Sequence, residues 1–298
     1  MEYHRLARTP AHRWWQPVLG TLFIVAAGAF VAVFGYLTVT AAAALAGRPN
    51  NVDGLPSFGE RVDLALMFLS LAVLLPITFL AARWIQRRPA GTLSSVTGRL
   101  RWRWLFKLLP VALVAVVVLL GGGMLLGSLT GLEETQPDLV GWGPFALSML
   151  VLLIVVPPQA AAEEYVTRGW LLQATGVWFR QPWVPIAFQA LVFAAAHGWG
   201  TPWGFADLFL FGAVAGWLTV RTGGLEAAIA LHVMNNLVSA GLAAAFGLLT
   251  IDETAADMPW QLAAVDVVVL AAYAFVVVKL SPSPVPRVAT PQPLVSVR

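Results

Sequence analysis

Two adjacent glutamates and an arginine interrupt a long apolar run between Ala160 and Trp170, AAAEEYVTRGW. Ionisable side chains inside a membrane segment are costly, face the interior of a helix bundle and mark a functional site by default. On a helix, Glu164 and Arg168 stand four residues apart with the acid on the favourable N-terminal side, so they can pair. Glu163 projects about 100° away from Glu164, and one arginine does not easily satisfy both. One carboxylate is therefore expected to be structural and the other free for chemistry.

Only two histidines fall inside apolar segments, His197 within FAAAHG and His232 within LHVMNNL, and Asn236 follows His232 by one helical turn on the same face. A carboxylate, two imidazoles and an amide match what amide hydrolysis needs. Glu163 could take a proton from water, His197 could orient that water, and His232 with Asn236 could donate to the developing oxyanion. The same atoms leave a second chemistry open, because two histidines and a carboxylate (Glu163, His197, His232) are the ligand set of many catalytic zinc sites. The usual H-E-x-x-H spacing is absent, so zinc would have to be assembled from three helices.

Taken singly, each group has a plainer reading. A lone histidine or asparagine bonds between helices, and the glutamate and arginine group reads as a salt-bridged helix boundary. Ser128, in GSLTG, does not form a G-x-S-x-G elbow. Asp207 and Asp266 could imitate an aspartyl dyad, but Asp207 reads as a helix-start residue after TPWG and Asp266 as a polar contact near the outer face. Glu226 is expected to pair with Arg221 around a loop, and Phe193 to pack against the His197 ring or the neighbouring helix.

The elements that must position these groups are membrane helices. The 298 residues are 59% hydrophobic and 11% charged, against about a quarter charged in soluble domains. Apolar runs near 16–44, 63–82, 105–129, 145–178, 183–200, 205–220, 225–250 and 260–280 predict an all-α bundle of about eight transmembrane helices. The first run exceeds a signal-peptide core and reads as a retained helix despite a faint cleavage-like Ala44-Leu45-Ala46.

Seven basic residues between Arg83 and Lys107 have no acid among them, and set that connection on the cytoplasmic side. Glu133, Glu134 and Asp138, like Asp252, Glu253 and Asp257, mark outer loops, and eight spans then leave both termini cytoplasmic. A cytoplasmic segment 1–13, a membrane domain 14–280 with a core near 145–248, and a proline-rich disordered tail 281–298 complete the layout. The net charge of +3 sits beside spans and sets topology, which argues against nucleic-acid binding. No cysteine is present, so thiolate chemistry and disulfides are excluded.

Register supports convergence. Glu163 and His197 lie 17 residues either side of Arg180, so an antiparallel hairpin sets them at one height, about 25 Å from its tip. His232 lies much closer to its own turn at Arg221 to Gly224, and joins them only if that turn sits deeper. Pro157 and Pro158 are expected to break the fourth helix just before the glutamates and ease the mismatch.

Glu163-Glu164-x-x-x-Arg168, Phe193-x-x-x-His197 and His232-x-x-x-Asn236, in this order, resemble the three motifs of the CPBP intramembrane proteases, which include the type II CAAX prenyl endopeptidases. The resemblance covers about 145–248. It implies a glutamate-dependent endopeptidase with a central cavity open toward the cytoplasm. Glu163 and His197 would activate water, His232 and Asn236 would stabilise the oxyanion, and Glu164 and Arg168 would support them. The partners implied are the lipid bilayer and a membrane-associated peptide. A divalent metal such as zinc stays open as cofactor, and a non-catalytic immunity or transport protein could use the same polar groups.

Overall fold

The computed structural model describes residues 2–50, 54, 56–132, 138–249 and 254–281. Eight helices account for the apolar runs: α1 Gln16–Leu45, α2 Glu60–Ile85, α3 Trp102–Leu129, α4 Trp142–Gly176, α5 Trp183–Ala196, α6 Pro202–Thr222, α7 Glu226–Ala245 and α8 Trp260–Leu280. Among the described residues seven are long and apolar enough to cross a membrane, and the protein is an integral membrane protein. The exception is α5. Its 14 residues rise only about 21 Å, because the chain leaves the helix at His197 and continues through Gly198 and Gly200, both at positive φ. The span expected over 183–200 is thus shortened to a helix that stops at the histidine. Glu133, Glu134, Asp252, Glu253 and the tail beyond Ser281 lie outside the described residues.

The core is built by α3, α4, α6 and α7, while α1 packs at the edge and presents Leu22, Val25, Phe30 and Phe34 outward. Small residues let backbones approach: the Cα of Gly212 in α6 lies against Ala190 of α5, and Gly123 of α3 lies against Leu262 of α8. At their shared end α6 and α8 are tied by the 254–258 segment. Thr201 caps α6 by accepting from the Gly204 amide and donates to the Met258 carbonyl.

Three expectations are corrected here. Pro157 and Pro158 do not break α4, which stays helical through Glu164; the irregularity follows the glutamates as a π-helical turn over Tyr165–Leu171. Thr201, not Asp207, starts α6. Asp207 lies more than a turn inside, buried and near the buried Asp266 of α8. Finally, Glu226 pairs with Arg101, not Arg221: Nε and Nη2 of Arg101 reach its two carboxylate oxygens at 2.9 and 2.6 Å, and the Arg101 amide adds a third bond at 2.7 Å. A planar fork meeting a buried carboxylate is the geometry in which arginine bonds most strongly.

That last pairing explains the depth of the α6–α7 turn. Residues 94–101 lie over it: the Val96 amide donates to the Gly223 carbonyl at 2.8 Å, and the Leu225 amide donates to the Ser94 carbonyl at 3.0 Å. Thr222, Leu225 and Glu226 are buried as a result. The turn sits below a roof supplied by the α2–α3 connection, which lets α7 begin at a level where His232 meets the glutamates.

Candidate active site

The glutamates stand where α4 passes from an α-helix into its π-helical turn, and they face different surroundings. Glu164 is fully buried, and its Oε1 accepts from Nη1 of Arg168 at 2.8 Å and from Nδ1 of His232 at 2.8 Å. Arg168 is itself fully buried, with its guanidinium stacked 4.2 Å over the Phe193 ring and 5.7 Å from that of Phe211. A buried charge persists only when paired, and this pair has an aromatic floor as well as a carboxylate. Glu163 keeps 16% of its side-chain surface exposed and stands apart from the arginine. The two acids therefore divide as their helical offset requires.

His232 lies between them. Its Nδ1 is taken by Glu164, and its Nε2 points toward Oε2 of Glu163 at 3.7 Å, a gap too long for a direct bond. A carboxylate at Nδ1 fixes the tautomer and the orientation of an imidazole, so Nε2 is the nitrogen presented to a reactant. Phe193 and Phe211 set their rings edge-on to His232 at 5.9 and 5.7 Å and hold its plane.

Gln159 completes the group, and the sequence reasoning missed it. Its Nε2 donates to Oε1 of Glu163 at 2.6 Å while its Oε1 accepts from Nδ2 of Asn236 at 3.1 Å. One buried amide thus joins the carboxylate of α4 to the asparagine of α7. The signal was available: Gln159 precedes Glu163 by four residues, on the same helical face, in an otherwise apolar run.

His197 is placed differently from the expectation of a residue facing Glu163. As the residue that ends α5 it turns Nδ1 onto the Phe193 carbonyl at 2.9 Å, and its ring lies tilted against that of Phe193 with centroids 4.6 Å apart. With Nδ1 donating to that carbonyl, Nε2 is the ring nitrogen left for another partner. Among the described residues it forms no hydrogen bond or ion pair with Glu163, and Phe193 is the contact that joins it to the rest. Phe193, expected to pack against the His197 ring or the neighbouring helix, touches both His197 and Phe211 of α6, and His232 as well.

The zinc set does not assemble. Among the described residues no three His, Cys, Asp or Glu side chains stand together so as to hold a metal ion. Glu163 and His232 approach each other, but His197, the third member, bonds the Phe193 carbonyl of its own helix and makes no contact with either among the described residues. The residues present do not fit a three-ligand metal centre.

Fold and site together define a helical integral membrane protein whose interior carries a carboxylate, imidazole and amide cluster. Residues 142–238 match the family described as type II CAAX prenyl endopeptidase Rce1-like, and all three spaced motifs fall inside that match. The resemblance read from those motifs therefore holds at the level of a protease family over this segment. The chain is also 27% identical over 183 residues to the uncharacterized protein YyaK of Bacillus subtilis (strain 168), an alignment covering 59% of this chain and 60% of that relative. No solved structure gives a significant match.

Proposed function

We propose that this protein is an intramembrane endopeptidase of the CAAX type, in which Glu163 activates the water that attacks a peptide bond. The observation that carries this reading is the asymmetry of the two carboxylates. Glu164 is consumed by Arg168 and His232, whereas Glu163 is held at one oxygen by Gln159 and keeps the other, Oε2, toward the gap before His232 Nε2. A water in that gap would touch both a base and an imidazole, the arrangement general acid–base catalysis requires.

In this scheme Glu163 takes the proton of the attacking water and later delivers it to the leaving amine. His232, steadied by Glu164, donates from Nε2 to the oxyanion when its ring is protonated, and Asn236, which gives one Nδ2 hydrogen to Gln159, supplies its other to the same oxyanion. His197, with Nε2 free to accept, orients water from the α5 side. The substrate is a membrane-associated peptide that reaches the cluster from the bilayer.

The test uses protein reconstituted in nanodiscs with a panel of membrane-anchored peptides, prenylated and unprenylated. Glu163→Gln is expected to abolish cleavage with the melting curve unchanged, since glutamine still accepts from Gln159. Full cleavage by that variant would refute the assignment of Glu163. If instead no peptide is cleaved but one binds equally to wild type and Glu163→Gln, the polar cluster serves a non-catalytic binding protein.

A further inference from the structure

Two hollows flank the Pro182–Trp183 step, where α5 begins. One, of about 640 Å³, is lined by Glu2, Arg5, Arg8, Arg180, Gln181 and Pro182. The other, of about 390 Å³, lies between α5, α6 and α8 and is walled by apolar side chains that include Trp183, Ile186, Phe209, Trp217 and Ala274. Polar and apolar hollows in this order follow the profile of a bilayer leaflet from headgroup to acyl chain. Trp14, Trp15, Trp178 and Trp183, all exposed, stand at the adjoining ends of α1, α4 and α5, as interfacial tryptophans do.

Arg8 and Arg180 are exposed and Arg5 half-buried, but the backbone that carries them is fixed. Arg5 and Arg8 belong to a segment anchored by buried Tyr3, whose hydroxyl donates to the Leu93 carbonyl, and by buried His4, whose Nε2 lies 3.1 Å from the Arg180 carbonyl. The His4 backbone is seated so closely on Gly176 that a β-carbon there would come within 1.8 Å of its carbonyl oxygen. Among the described residues none of the three arginines is in an ion pair, and the one carboxylate lining the hollow, Glu2, lies 3.7 Å from the His4 ring. Charges that only set topology need no convergence. These converge on one concavity, and guanidinium forks match phosphate oxygens bidentately.

We propose that the two hollows together bind one anionic phospholipid, its phosphate held by Arg5, Arg8 and Arg180 and an acyl chain lying in the α5–α6–α8 groove. The site docks the N-terminal segment to the bundle through a lipid of the surrounding membrane. It stands apart from the glutamates and does not depend on the protease reading.

The experiment takes the full chain in phosphatidylcholine nanodiscs titrated with phosphatidylglycerol. Lipid retained on the ejected protein is read by native mass spectrometry, and thermal unfolding is read in parallel. Wild type is expected to retain one phosphatidylglycerol and to unfold at higher temperature in its presence. Arg5→Gln/Arg8→Gln/Arg180→Gln should weaken retention tenfold or more, and Ala213→Phe, which fills the groove and leaves the arginines, should weaken it likewise. Arg83→Gln/Arg99→Gln/Arg103→Gln removes the same charge from exposed positions elsewhere and should retain the lipid. Undiminished retention in the first triple variant overturns the proposal, as does equal loss in the second, which would mean diffuse surface charge. Displacement of the lipid by inorganic phosphate at similar concentration would also overturn it, because a soluble anion would then be the occupant.

Discussion

Nδ1 of His232 lies 2.8 Å from Oε1 of Glu164, and this bond makes the second glutamate of the pair the one that fixes the imidazole. Among the described residues the first glutamate has one side-chain hydrogen-bond partner, Gln159, and a partly open face before His232. Adjacent residues of identical type thereby take opposite roles, one in the scaffold and one toward the reactant.

Exchanging either acid for its amide should separate these roles. Glu164→Gln leaves the buried Arg168 without its counter-charge, and breaking one side of a buried pair costs about 3–5 kcal/mol. A clear fall in melting temperature is expected from thermal unfolding in detergent. Glu163→Gln should melt as wild type does and lose cleavage alone.

Gln159→Leu conserves much of the volume and removes both amide bonds. A hydrogen bond to a charged group contributes about 1.5–3 kcal/mol, which corresponds to roughly 10–100-fold in rate if the loss falls on the reactive alignment of Glu163. Cleavage kinetics in nanodiscs should show that fall in kcat with KM little changed, and Gln159→Glu should not rescue it, because a second carboxylate cannot donate to Glu163.

Arg101 and Glu226 tie the start of α7 to the residues before α3. Glu226→Gln or Arg101→Ala should destabilise the fold, with the loss again approaching about 3–5 kcal/mol for an uncompensated buried charge. The roof over 222–226 should loosen, so amide hydrogen exchange should rise first in residues 94–101 and at the start of α7.

Burial of His4 holds its imidazole below the ordinary value of 6.5, with the Arg180 carbonyl opposing in part. Below that value the unfolded chain binds a proton that the folded chain resists, so stability falls as pH drops beneath about 6.5 and is unaffected above it. Thermal unfolding between pH 7.5 and 5 should show this decline, and His4→Gln should flatten it. A slope that persists unchanged in His4→Gln would assign the effect to another group.

The apolar runs, the absence of cysteine and the i, i+4 placement of Glu164 with Arg168 were decided by the sequence, because hydrophobic length and helical periodicity act locally. So was the grouping of the motif residues on α4, α5 and α7. Tertiary structure alone decided which partners they take. Nothing local indicates that Arg101, 125 positions away, holds Glu226, or that residues 94–101 roof the α6–α7 turn and lower His232 to the glutamates. Nor could spacing foresee that His197 would end its helix and bond its own Phe193 carbonyl while Gln159 linked Glu163 to Asn236. Those choices follow from burial, which favours pairing each polar group with whatever the packed helices bring within reach.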